Sequence, residues 1–196
     1  MVNEYKTICE KTIGEGFYSE KRSKFLAFAH HVDNAEEVKN WVAHYRKKFY
    51  DARHVCYAYM LGAERKDFRA VDDGEPSSTA GKPILGQINS QELTNVLVVV
   101  VRYYGGVNLG TGGLIVAYRA AAEDAIAHAT VEQRIVEATL TYTYPYPRMN
   151  AVMRVVKDMQ PRIVSQTFDN TCTITLAIRC DLLPMLQQKL DSLSFE

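Results

Sequence analysis

The run Val96-Leu97-Val98-Val99-Val100-Val101 constrains this chain more than any other stretch. Its residues are aliphatic and mostly β-branched, which favours extended backbone. An apolar run with no polar face suits a strand inside a sheet covered on both sides. It is far too short to cross a bilayer, which takes about 20 apolar residues as a helix. Lys24 to Val32 is apolar on both faces in the same way, and His54 to Leu61 (HVCYAYML) reads as a further buried strand.

The aliphatic strand, Asn95 to Tyr103, runs directly into VVRYYGGVNLGTGGL, which holds five glycines between Gly105 and Gly113. After it, Leu114, Tyr118, Ala121, Ala122, Ala125 and Ile126 mark an amphipathic, alanine-rich helix with Thr111 as the expected N-cap. Strand, glycine turn and helix together present backbone N–H groups and a positive helix end to an anion. The specific phosphate motifs fail here. Gly105 and Gly110 have P-loop spacing, but Thr111 stands where the lysine is required. Gly110 and Gly112 open a dinucleotide fingerprint, but Ile115 holds the third glycine position. NLGTGGL resembles the Gly-Leu-Gly-Ser loop of the galactokinase–homoserine kinase group, over seven residues only. The competing reading is that the glycines only permit a tight turn and close helix–sheet packing. The candidate anion-binding residues are Arg102, Tyr103, Tyr104, Gly105, Gly106, Gly110, Thr111, Gly112 and Gly113. Arg102 can fork onto a phosphate or onto a structural carboxylate such as Asp73.

Elsewhere, DNAEEVKNWVAHYRKKF predicts a helix with Val38, Trp41, Val42, Tyr45 and Phe49 on one stripe. A glutamate stands three residues after Asp33 and after Asn34, a capping-box spacing. Asp72 to Pro83 (DDGEPSSTAGKP) is turn-rich, and a short helix is expected from about Thr79 to Ile88. From Arg134 the pattern changes to clean alternation through Val136, Ala138, Leu140, Tyr142 and Tyr144. A helix with Met149, Val152, Met153 and Val156 inward follows, then two strands joined by Asp169-Asn170 as a two-residue turn. Asp181 is the expected cap of a last helix. This β-α-β-β-α order is a ferredoxin-like plan. The expected organisation is α+β in two domains, 1–131 and 134–196, with the join near Thr130 to Gln133.

Composition narrows the chemistry. Lys plus Arg and Asp plus Glu both number 23, so no overall charge draws the chain to a polyanion, and any nucleic-acid role must rest on a local patch. Cys9, Cys56, Cys172 and Cys180 lack zinc spacing, and adjacent His30 and His31 point to opposite faces of their strand. His54 reads as a satisfied, partly buried histidine. Ser77, Ser78 and Thr79 have no histidine patterned with them, and Asp72, Asp73 and Glu75, in the motif loop with Gly74 and Pro76, read as turn and capping groups before cation ligands. No metal, cofactor or catalytic constellation is expected. MVNEYKTICEKTIGEG is not a secretory signal, so a reduced, cytoplasmic protein is expected. Two basic clusters remain, Lys21, Arg22 and Lys24, then Arg46, Lys47, Lys48 and Arg53 interleaved with Phe49 and Tyr50. Such mixtures can meet phosphates and unstacked bases, although charge runs are more often a solvated face.

VVRYYGGVNLGTGGL, DDGEPSSTAGKP and HVCYAYML together resemble the IMPACT/YigZ family, over roughly Ser23 to Ala129. The resemblance implies a first domain sharing its fold with a small-subunit ribosomal protein domain and with the small-molecule kinases. It also implies a second, ferredoxin-like domain similar to the fifth domain of elongation factor G. Its eukaryotic members act in translational control through an additional N-terminal domain that this sequence does not show. The first functional reading is a non-enzymatic binding protein of RNA, the ribosome or a translation factor, with no membrane and no sequence-specific DNA partner. The alternatives are an enzyme cradling a nucleotide or phosphometabolite in the glycine loop, and a protein–protein adaptor.

Overall fold

A computed structural model describes residues 2–193. The chain divides into two compact units, Tyr5–Arg134 and one formed by Ile135 onward with the residues ahead of Tyr5. Mixed α and β elements build both.

The larger unit runs β1 (Glu4–Ile8), β2 (Gly14–Glu20), β3 (Ser23–His31), α1 (Ala35–Lys48), β4 (His54–Leu61), β5 (Asp67–Val71), α2 (Gly81–Ser90), β6 (Val96–Tyr103), α3 (Gly110–Ala127) and β7 (Val131–Ile135). Five strands form an antiparallel sheet in the order β2-β3-β6-β4-β5, and β1 pairs with β7. The aliphatic run is the sheet's middle strand. Val96, Val98 and Val100 enter one core with α2 and α3, while Leu97, Val99 and Val101 enter a second core with α1. Residues Val96 to Val101 are all fully buried. Each such side chain contributes about 1.5–3 kcal/mol relative to exposure, so β6 anchors both layers.

α1 starts where the sequence predicts. Asn34 Oδ1 accepts from the backbone N–H of Glu36 at 3.1 Å and of Glu37 at 3.0 Å, and Glu37 in turn accepts from Asp33 N at 2.9 Å. His30 and His31 face apart: His30 stacks on Trp41 and bonds Tyr45, and His31 bonds Thr7. Burial pulls the His30 imidazole down to about 4.

Two helix starts differ from expectation. Leu109 holds the N-cap position of α3, and no side chain caps it. Gly110, at φ +73°, turns the chain into the helix two residues early, so Thr111 lies inside the first turn and cannot cap it. α2 begins at Gly81 rather than near Thr79, because Thr79 is held in the preceding turn by Pro76 O. The residues expected to join two domains lie largely in β7, paired with β1.

The smaller unit runs β8 (Glu137–Tyr144), α4 (Met149–Met159), β9 (Arg162–Phe168), β10 (Cys172–Arg179) and α5 (Leu183–Ser192). Its antiparallel sheet has the order β8-β10-β9, with Tyr144, Val152, Val156, Ile174, Leu176, Leu186 and Leu190 in the core. Three details are corrected. Phe168 pairs with Cys172, so the β9–β10 turn has three residues between partners instead of two. Asp181 does not cap α5, since its carboxylate takes the Arg179 guanidinium and Leu182 holds the N-cap position. Met153 is exposed, because the buried face of α4 narrows to Val152 and Val156.

Candidate functional site

Arg102 is the last fully enclosed residue of β6, 6% exposed. Sheet register sets it opposite Phe25 on one side and His54 on the other. Its guanidinium lies 5.6 Å from the Phe25 ring and 5.5 Å from the Tyr104 ring, within cation–π range. Nη1 donates to Glu75 Oε1 at 2.5 Å, whereas Nε is buried with no acceptor among the described residues. The structural partner is therefore Glu75 and not Asp73. Asp73 turns the other way, accepting from Val55 N at 2.7 Å and Arg46 Nη2 at 2.8 Å.

The loop Asp72–Pro76 is bonded throughout. Asp72 accepts from the backbone N–H of Ser78, Ala80 and Gly81 at 2.8, 3.1 and 2.8 Å, which caps α2 from outside the helix. Glu75 Oε1 also accepts from Tyr118 OH at 2.8 Å, and Cys56 Sγ lies 3.3 Å from that phenol and 2.9 Å from Asp72 O. Burial pushes the Tyr118 phenol and the Cys56 thiol well up, so both stay protonated. His54 Nδ1 lies 2.8 Å from Asp73 O. A carbonyl only accepts, so Nδ1 carries the proton and Nε2 is left 3.9 Å from Glu75 Oε2.

The glycine loop is bonded differently. Gly105 N donates to Ser23 Oγ at 3.1 Å, and a Cβ on Gly105 would stand 2.2 Å from Arg22 C. That close approach accounts for this glycine. It holds the loop against the β2–β3 hairpin, whose tip residues Lys21 and Arg22 have φ of +46° and +67°. Both positive angles define a type I′ turn. Within the loop, Tyr104 OH donates to Asn108 Oδ1 at 3.3 Å.

These parts enclose a cleft of about 480 Å³. Glu75, Arg102 and Leu114 form its buried floor and His54 a half-buried wall. Arg53, Gly74, Pro76, Tyr104, Gly110 and Thr111 stand at the exposed rim. Two residues assigned to separate groups by sequence, Arg53 of the basic cluster and Arg102 of the loop, thus meet in one place. Other expected site residues lie outside its lining. Tyr103 donates to Asp51, Gly106 lies elsewhere on the loop, and Gly112 and Gly113 lie in the first turn of α3 outside the lining. Arg46 is held by Asp73, Lys48 lies over the Phe28 and Phe49 rings, and Lys24 and Lys47 are exposed. Asn108, Leu109 and Leu114 join the lining unannounced, since only the fold of the loop brings them in.

Away from the cleft, His31 Nε2 lies 3.0 Å from Asp33 and 3.8 Å from Glu10. Arg134 Nη2 takes Glu10 at 2.9 Å, so this cluster carries its own cation. Among the described residues no helix is long and apolar enough to cross a membrane.

The family model for the Impact N-terminal domain matches residues 21–126, which include the whole cleft. The chain is similar to IMPACT family member YigZ of Escherichia coli, 32% identical over 160 residues, with 81% of this chain and 78% of that one covered. It is also similar to IMPACT family member YvyE of Bacillus subtilis, 34% identical over 148 residues, covering 74% and 67%. A solved crystal structure described as a hypothetical protein superposes with a TM-score of 0.76 at 28% identity, over 99% of this chain and 94% of its own. On the family model and these relatives, the chain belongs to the IMPACT family.

Proposed function

We propose that this chain is a non-enzymatic binding protein of the translation apparatus, and that it holds RNA by a phosphate in the Arg53–Arg102 cleft. The observation carrying this reading is the convergence of Arg53, Arg102 and His54 on the uncapped N-terminus of α3. Arginine forks and first-turn N–H groups are the ordinary recognition set for a phosphate. Lys21 and Arg22, held beside the loop through Gly105, extend positive charge along the path of a strand. The translational setting is inferred from membership of the family, whose eukaryotic members act in translational control. The absence of catalysis is proposed because Cys56 and Tyr118 are buried and protonated, and Ser77 and Ser78 lie outside the cleft lining.

Fluorescence anisotropy with a labelled single-stranded RNA tests this. Micromolar binding at low salt is expected, with a shallow salt dependence that loses about 0.7 of log–log slope for each phosphate contact removed. Arg53→Gln should lower that slope. Absence of RNA binding at low salt would sink the reading.

A further inference from the structure

We infer that the cleft recognises the end of a chain: it takes a terminal phosphate monoester, and an internal phosphodiester cannot reach its floor. The inference rests on the RNA reading above and adds the ligand's chemical class.

The first ground is steric. Arg102 is 6% exposed at the floor, so a phosphate in contact with it must itself be buried. A diester leaves through two ester oxygens, and both continuing chains would have to climb out past the same rim. A monoester enters head first and leaves by one. The second ground is the unmet donor. Glu75 occupies Nη1 of Arg102, while Nε has no acceptor among the described residues. A buried donor without a partner is uncommon and points to a group from outside the chain. Glu75 engages only Nη1, so the guanidinium has further donors for an oxyanion at the floor while Glu75 stays in place.

Charge and shape favour the same ligand. Arg53 and Arg102 outweigh Glu75 by one unit, and the first turn of α3 adds partial positive charge. A monoester carries about −1.5 to −2 at neutral pH, against one unit for a diester, and so gains more from this field. Tyr104, 44% exposed, stands at the rim with its hydroxyl tied to Asn108. Its ring offers a stacking surface for the first base behind a buried phosphate. The cleft volume, about 480 Å³, suits a single nucleotide unit.

The test compares one RNA oligonucleotide carrying a 5′-phosphate, a 3′-phosphate or hydroxyls at both ends, with AMP and inorganic phosphate as competitors. A terminal phosphate at one end should tighten binding about tenfold. Arg53→Gln and Tyr104→Ala, both at the exposed rim, should keep the wild-type melting temperature and reduce that preference to about twofold or less. Equal binding of phosphorylated and hydroxyl-ended RNA would overturn the inference and leave the RNA reading standing. Binding of AMP or phosphate without any RNA binding would keep the monoester site and remove the RNA reading. A preference untouched by both rim variants would mean that another surface reads the end.

Discussion

Two loops meet at the cleft, and they are built on opposite terms. In the acidic loop every carboxylate is engaged: Asp72 by three N–H groups, Asp73 by Val55 and Arg46, Glu75 by Arg102 and Tyr118. In the glycine loop one backbone bond fixes Gly105, one side-chain bond joins Tyr104 to Asn108, and the helix that follows has no side-chain cap. The comparison separates scaffold from recognition. Acidic residues in a turn suggest a cation site, but here they act inward, as staples. The bonding capacity left over belongs to the loop with almost no functional side chains.

That division is open to attack by substitution. The largest effect is expected at Glu75→Ala, which leaves Arg102 buried and uncompensated and should cost about 3–5 kcal/mol in urea denaturation. A cost below about 1 kcal/mol would show that the pair is not what holds the floor together. Asp72→Ala strands the N–H groups at the start of α2 and should cost about 2–3 kcal/mol by the same measurement. In the glycine loop, Gly105→Ala forces a Cβ onto the backbone of Arg22 and Ser23, with an expected loss of about 1–2 kcal/mol. Gly112→Ala meets nothing within 4 Å, and its stability should rise by about 0.5 kcal/mol. RNA affinity should be unchanged in this last variant, because Gly112 is not in the cleft lining. A large loss of binding there would extend recognition further into the helix than the lining shows.

Periodicity made much of this legible beforehand. β3, β4 and β6 are apolar on both faces, and α1 and α3 each carry a single stripe that ends up buried, so pattern and position agree. β2 and β5 are edge strands, with glycines at 14 and 16 in the first and a charged DFRAV sequence in the second. β1 and β7 pair with each other outside the five-stranded sheet and keep exposed faces. None of these four has a hydrophobic period to announce it. At the site, glycine density drew attention to the right loop and Arg102 stood out at the end of an aliphatic strand. The grouping of Arg53, His54 and Arg102 depends on the register of β4 against β6, which no local pattern encodes. The choice of Glu75 over Asp73 was set by left-handed backbone at Asp73 and Gly74, with φ of +44° and +85°.

The β2–β3 hairpin tip has a consequence for engineering. Lys21 and Arg22 both sit in left-handed backbone, where Asn-Gly is the ordinary choice and each other residue costs about 1–2 kcal/mol. A stability-guided redesign would therefore replace both residues early, and a more heat-resistant protein should result. It would also erase two positive charges beside the glycine loop. If those charges guide a strand toward the cleft, a thermostable consensus variant will fold better and bind worse. The hairpin tip would then be a place where the chain trades robustness for reach.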